Sequence, residues 1–424
     1  MRSTRMSVIA GAAILGLALA GCSTSSAGPS EDDPNQVEVF TWWAAGSEKV
    51  GLDALVAVFA EQYPDIAFSN AAVAGGAGSN AKAALASRLE ADNPPDTFQA
   101  HAGAELNDYI EAGQLQDLSS FYDENGLYEA FPDTLIEQLT SDGAIYSVPS
   151  NIHRANVTWV NVDVLEGAGI DPTVAPESMD AWIDDLTTLQ ESGVTAPLAL
   201  GTEWTQMQLF ENVLIADLGA EGYTGLWDGT TDWDSAEVQT AIGHYGELLD
   251  FANTDYAGLD WDAATQILLD GNAGYNVMGD WAEAAFVQAG QTYGTEYTTW
   301  ATPGTDGIFD FLADSFTLAV GAPHETAAID WLTTISSAEG QKAFNIAKGS
   351  IPARMDAVAT DYPEYQQTAM ASFQEDTIVS SLAHGSAASV SWSADLSSAI
   401  GKFGADRNAD ELLTALVAAA AAQE

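Results

Sequence analysis

Two tryptophans, Trp42 and Trp43, stand together where the alternating run Val37-Glu38-Val39-Phe40-Thr41 gives way to Ala44-Ala45-Gly46. The alternation predicts a buried strand that ends in a Gly-bearing loop. Adjacent strand residues point to opposite faces, so at most one indole fits a regular core position and the other must go elsewhere. In open α/β sheets ligands bind beyond the carboxyl ends of the strands, which makes the pair a candidate ligand platform. Other strand ends and chain crossings supply complementary types. Gln99 and His101, two apart, share one face. Asp280 stands beside Trp281, Asp314 lies between apolar residues, and Lys348 and His384 follow. Lys348 stands out because the chain has only 11 Lys and Arg. A carboxylate at Asp314 is expected there only if it is paired or faces a ligand. Indole faces that cover apolar C–H surface, with charged and amide groups that bond neighbouring hydroxyls, are the two devices that hold a sugar. His153 and Arg154 either touch such a ligand or hold a chain crossing together. His244 and His324 read as surface residues. The five His are far apart and lack paired ligand spacing, so no metal site is expected. Nothing points to a cofactor.

The elements that must position these groups follow from periodicity and punctuation. From 37 to about 150, strands and helices alternate in the pattern of βα units. Helices are expected over 52–63, stopped by Pro64, and over 81–90. The Gly75-Gly76-Ala77-Gly78-Ser79-Asn80 loop before the second lacks the Gly-Lys-Ser/Thr ending of a phosphate loop. Beyond a Pro-marked crossing at 146–154, helices near 180–191, 205–218, 237–251 and 261–269 make the second half more helical. Asn276-Val277-Met278-Gly279-Asp280-Trp281 ends a strand and opens a helix, with Asp280 as its N-cap. Residues 309–318 return as one strand containing Asp314. Helices near 325–336 and 338–347 lead to a second Pro-marked crossing at 348–352, and the rest is helical.

A chain of 424 residues, 47% hydrophobic with 12 Trp, can build two lobes with sizeable cores. Residues 1–21 read as a secretory signal peptide: Arg2 and Arg5, an apolar run from Val8 to Ala20, then Leu19-Ala20-Gly21-Cys22. The lone Cys at the cleavage point resembles a bacterial lipobox, which implies lipidation of Cys22. Residues 22–36 are small, polar and Pro-containing, the composition of a flexible tether. The mature chain is then extracytoplasmic and has no disulfide available to it. The formal charge is −51, and −53 without Arg2 and Arg5. No basic stripe exists to displace counterions, which excludes nucleic acid. The acids are scattered among plentiful aromatics, so this is no disordered tail. Such a solvated acidic surface suits a salty exterior.

The mature chain resembles, along nearly its whole length, the solute-binding lipoproteins of ATP-binding-cassette (ABC) sugar importers. The likeness is greatest to the glucose-binding group, some members of which take galactose. It rests on an ordered set of runs: PheThrTrpTrpAla (40–44), AlaGlyGlyAlaGlySerAsnAla (74–81), AsnProProAspThrPheGlnAlaHisAlaGly (93–103), ValProSerAsnIleHisArgAlaAsn (148–156), ProLeuAlaLeuGly (197–201), AsnValMetGlyAspTrpAla (276–282), AspSerPhe (314–316), LysGlySerIleProAlaArg (348–354) and HisGly (384–385).

The resemblance implies an α/β, two-lobed periplasmic-binding-protein-like fold. Its three crossings would lie near 149–153, 312–316 and 348–354. Residues 37–149 and 315–350 would form lobe 1, and 150–314 and 351–424 a more helical lobe 2. It places Trp42 and Trp43 at the sugar faces and Trp281 opposite, with Glu48, Gln99, His101, Asp314, Lys348 and His384 bonding hydroxyls. Asn151, His153 and Trp261 are further candidates. The implied protein is a monomeric, lipid-anchored receptor and not an enzyme. It would close on a monosaccharide, glucose or galactose, and deliver it to an ABC permease. On that placement Trp281→Ala and Lys348→Ala should each weaken binding and leave folding intact. Other readings are a di- or oligosaccharide receptor, a glycoside hydrolase, or an adhesive lipoprotein. The hydrolase needs two carboxyls about 5–9.5 Å apart, for which Asp280 and Asp314 are a conceivable pair.

Overall fold

The computed structural model describes residues 35–75 and 78–423. The expected signal peptide, Cys22 and the tether up to residue 34 lie outside the described residues. The tether's expected end at 36 is too late, because Gln36 already opens the first strand.

That strand, Gln36–Phe40, lies in a five-stranded sheet ordered Ala67–Asn70, Gln36–Phe40, Thr97–His101, Asp314–Thr317, Ser147–Pro149. The first three strands are parallel, and Asp314–Thr317 runs antiparallel to both its neighbours. Val37, Val39 and Phe98 are fully buried, as strands covered on both faces require. Helices Gly46–Gln62, Glu325–Ser336 and Ala338–Lys348 cover one side. Gly51 lets the first and last of these approach closely: a Cβ there would stand 3.0 Å from Lys348 Cβ and 3.2 Å from the Phe344 ring. This close crossing fixes where Lys348 sits, at the C-terminal turn of its helix.

A second sheet, ordered Tyr297–Ala301, Val157–Asn161, Tyr275–Val277, Leu198–Ala199, carries most of the helices. They include Met179–Ser192, Glu203–Asp228, Ala236–Leu249, Val390–Asp406 and Ala409–Ala421. The helix expected at 205–218 is longer than its periodicity suggested. Gly219, at φ 68°, kinks it, and a second helical stretch runs on to Asp228.

A third sheet, ordered Thr377–Ser380, Ile308–Leu312, His153–Arg154, joins the two halves. Here the expected single strand over 309–318 is two strands. Ile308–Leu312 belongs to the joining sheet and Asp314–Thr317 to the first, with Ala313 as the changeover. The chain also leaves the first sheet between Pro149 and His153. It crosses a third time after Lys348, where Gly349, at φ +95°, closes the helix and Ile351 bridges to Ile152. The three crossings therefore lie side by side. One buried core surrounds the first sheet and runs through the crossings to Trp159 and Phe286; another, with Trp182, Phe210 and Tyr245, fills the helical half. This is the expected two-lobed α/β architecture. Among the described residues no helix is long and apolar enough to cross a membrane.

Candidate functional site

Register assembles the centre of the site. Asp314 pairs directly opposite His101, and Phe316 opposite Gln99, so Gln99, His101 and Asp314 share one sheet face. Asp314 is almost fully enclosed by partners. Its Oδ1 accepts from Gln99 Nε2 at 2.9 Å, and its Oδ2 from Lys348 Nζ at 2.5 Å and Asn151 Nδ2 at 2.8 Å. His153 Nε2 lies 3.3 Å from Oδ2. Burial alone would raise the Asp314 carboxyl, but Lys348 and the bond from His153 hold it well below the usual carboxylate range. His153 binds Asp280 through Nδ1, and this carboxylate outweighs burial to raise the imidazole.

A second chain of groups orients His101. Its Nδ1 lies 2.7 Å from Glu105 Oε2, which also accepts from Lys82 Nζ at 2.8 Å. Burial works against ionisation of Glu105, yet Lys82 and His101 draw its pKa down to about 2. Trp42 leans on the His101 ring, centroids 5.0 Å apart, while Gln99 Oε1 accepts its backbone N–H.

These groups open onto one cavity of about 480 Å³ at the crossings. Of the expected site residues, Trp42, Glu48, His101, His153, Trp261, Trp281, Asp314, Lys348 and His384 line it. Trp281 stands edge-on to both His153, at 5.2 Å, and His384, at 5.1 Å. Glu48, in the first turn of Gly46–Gln62, is pushed up to about 7 by loss of water, against the pull of Lys348.

Four expected contacts are not brought to the cavity. Trp43 is fully buried between Phe316 and Phe344, with Lys348 Nζ 4.6 Å over its ring. The alternation argument sends one indole inward, and Trp43 is that one. Gln99 and Asn151 spend their amides on Asp314 and on the backbone of Trp42 and Asp314. Asp280 is fully buried; it is not the expected N-cap, because Gly279 holds that position and the carboxylate accepts from His153 and the Arg154 N–H. Arg154 itself holds Asn156, Ser372 and the Ile308 carbonyl, which makes it a structural clamp. His324, expected at the surface, is largely covered and bonds Asp96 at 2.9 Å.

Sequence reasoning missed Trp204, Asp260, Asp262, Gln266 and Gln288, which also line the cavity. Trp204 follows the end of Leu198–Ala199 much as Trp42 follows its strand, but a two-residue strand gives too weak a pattern to mark. Asp260 caps Trp261–Leu269 and accepts from Trp204 Nε1 at 3.3 Å.

The bacterial extracellular solute-binding protein family model matches residues 45–342. An uncharacterized ABC transporter extracellular-binding protein of Pyrococcus horikoshii is 34% identical over 423 residues, covering 97% of this chain and 94% of that one. A protein of Mesorhizobium japonicum named as a probable sugar-binding periplasmic protein is 30% identical over 416 residues, covering 96% and 98%. A solved chitin oligosaccharide binding protein superposes with a TM-score of 0.80 at 19% identity, over 91% of this chain and 98% of its own. Those relatives and that neighbour are binding proteins. With its three side-by-side crossings and the cavity built upon them, this chain belongs to the bacterial extracellular solute-binding protein family.

Proposed function

We propose that this protein is the sugar receptor of an ABC importer, closing on a monosaccharide, glucose or galactose foremost, and handing it to the permease. The observation that carries this reading is convergence. Trp42, Trp204, Trp261 and Trp281 meet Glu48, His101, Asp314, Lys348 and His384 around one cavity of about 480 Å³. That size lies within the range of about 300–1,000 Å³ usual for small-molecule sites. Indoles cover the C–H face of a sugar ring while carboxylate, ammonium and imidazole bond its hydroxyls. The direct contacts in this reading are Trp42, Glu48, His101, Trp281, Asp314, Lys348 and His384, with His153, Trp204 and Trp261 at the margins. Gln99, Asn151, Asp280 and Trp43 act from behind them. A ligand that touches groups on both sides of the crossings favours the lobe arrangement that brings those groups together, by its differential affinity. The likeness to the Mesorhizobium protein supports a sugar as that ligand.

The Asp280–Asp314 pair considered for hydrolysis finds no support in the same geometry. Both Asp314 oxygens are committed to protein donors, and Asp280, its conceivable partner, does not reach the cavity. In this reading Cys22 carries a lipid that holds a monomeric receptor at the outer face of the cell membrane. Mass spectrometry of the N-terminal peptide and gel filtration check those two points.

One observation favours a disaccharide as second reading: a pyranose has two faces, and four indoles offer more aromatic surface than one ring can use. Calorimetry with D-glucose, D-galactose, D-xylose, maltose and cellobiose separates the two. A disaccharide bound much more tightly than any single sugar selects the second reading, and no binding by any of the five removes both. Turnover of aryl glycosides would select an enzyme instead.

A further inference from the structure

The helical half holds a buried acid pair that the sugar contacts do not use. Glu211, on the fully buried stretch of Glu203–Asp228, lies beside Asp310 of the joining sheet, near enough for each carboxyl to shift the other's ionisation. The two carboxyls have different surroundings. Glu211 Oε2 accepts the Ala383 N–H at 2.7 Å, and both Glu211 oxygens lie within 3.2 Å of Ser381 Oγ. Neither Asp310 oxygen meets any donor among the described residues. Burial raises Glu211 to about 7, and the Ala383 N–H and Ser381 hydroxyl keep it from rising further; Asp310 has no such donors, so Glu211 is the member of the pair that ionises and Asp310 the one that keeps the shared proton. Burial and the nearby Glu211 push Asp310 well above the usual carboxylate range, in the same direction.

Ser381 Oγ also lies 2.8 Å from His384 Nδ1. A serine hydroxyl has one hydrogen. With Glu211 ionised, that hydrogen goes to Glu211, so Nδ1–H must donate to Ser381. Burial, followed by the charges of His101, His153 and Lys82, holds the His384 imidazole well below its ordinary value, so the ring carries one proton only. Its other nitrogen, Nε2, has no partner among the described residues, and the ring lines the cavity between Trp204 and Trp281.

We propose that Glu211, acting through Ser381, is a positioning residue that fixes the tautomer of His384, so that Nε2 accepts a hydrogen bond from a ligand hydroxyl. The proposal rests on the reading of this cavity as a sugar site, and it adds a polarity. At this point the cleft requires a group that can donate, and a fluorine or an ether oxygen in its place leaves Nε2 bare. A site built around one hydroxyl rejects analogues that lack it.

The test uses the mature chain labelled with ¹⁵N-histidine, with the His384 signals assigned by their absence in His384→Gln. At pH 8, above the value of about 7 to which burial raises Glu211, the expected spectrum has His384 protonated at Nδ1 and bare at Nε2. Protonation at Nε2, or at both nitrogens, overturns the proposal. Ser381→Ala should introduce the Nε2-protonated form and lower affinity for D-glucose or D-galactose at least tenfold; an unchanged tautomer in that variant overturns the proposal. Glu211→Gln should act in the same direction, and if it does not fold, the wild-type spectrum and Ser381→Ala still decide. Failure of the sugar reading is seen separately, as a wild-type protein with the expected tautomer that binds neither sugar.

Discussion

At the scale of single residues, Asp314 is the group on which the cleft depends, because its charge is buried and is held by Lys348, His153, Gln99 and Asn151 together. Among the described residues Lys348 supplies its one close ammonium. Removing one member of a buried pair costs about 3–5 kcal/mol, since the other charge is left uncompensated. Lys348→Ala should therefore abolish sugar binding and also lower stability by about that amount. This revises the expectation that folding stays intact. Adding Asp314→Asn should restore much of the stability and none of the binding. Denaturant titration and calorimetry on the single and double variants check both halves, and equal losses in the two variants would refute the pairing argument. Glu283 shows the opposite case. It is buried, bonds Tyr297 through one oxygen, leaves Oε2 without a partner among the described residues, and is raised by burial to about 7. Between the ordinary carboxylate value and 7 the folded state binds more protons than the unfolded one, so this group lowers stability as pH rises. Glu283→Gln should raise stability at pH 8 by no more than about 3 kcal/mol and change little at pH 5. Equal gains at both pH values would sink that account. Much of this layer was legible in the chain. The two-residue spacing of Gln99 and His101 and the apolar flanks of Asp314 both mark the right sheet face. Asp280, expected at the ligand, stands outside the cavity lining; a strand-end position does not tell whether His153 from a distant strand has already taken the carboxylate.

At the scale of elements, periodicity located most helices because burial of one face imposes it, as in Met179–Ser192 and Ala236–Leu249. It failed at 309–318. Phe309, Phe311, Leu312, Ala313 and Phe316 read as one apolar run, and nothing local says that the first part pairs with Thr377–Ser380 and the rest with Thr97–His101. Changing sheets at Ala313 is a non-local fact, yet it places Asp314 at the crossings. Close approach is equally hidden. Gly279 has an ordinary φ of −62°, so its lack of a side chain looks incidental. A Cβ there would fall 2.1 Å from the Trp281 ring. Gly279→Ala should therefore keep the backbone and drive the indole from its place beside His153 and His384. Sugar affinity should fall at least about tenfold, equivalent to 1.4 kcal/mol, with little change in melting temperature. Calorimetry and tryptophan emission measure this, and wild-type affinity would show that Trp281 does not shape the ligand's seat.

At the scale of the whole molecule, the dominant fact is a formal charge of −51 on a chain with 62 acids and 11 basic side chains. Several of the basic groups are already committed inside, Lys348 to Asp314, Lys82 to Glu105 and Arg154 to the joining sheet, so they do little to relieve the surface. Repulsion among exposed acids acts against the compact state, because unfolding spreads the charges apart. Salt screens exposed charges over a Debye length of about 10 Å at 0.1 M and about 3 Å at 1 M, while buried pairs are screened far less. The two effects therefore separate on one titration. Raising NaCl from about 0.01 M to 1 M should lift the melting temperature, by about 1 °C for each 1 kcal/mol or so that repulsion costs a chain of this length. The same titration should leave sugar affinity nearly unchanged, because the Lys348–Asp314 pair is out of reach of the ions. Potassium chloride should behave as sodium chloride does, which distinguishes screening from binding of a particular cation. A melting temperature indifferent to both salts would mean that the acids are spaced widely enough for water alone to manage them. A gain with one cation only would mean that the surface holds specific ion sites instead.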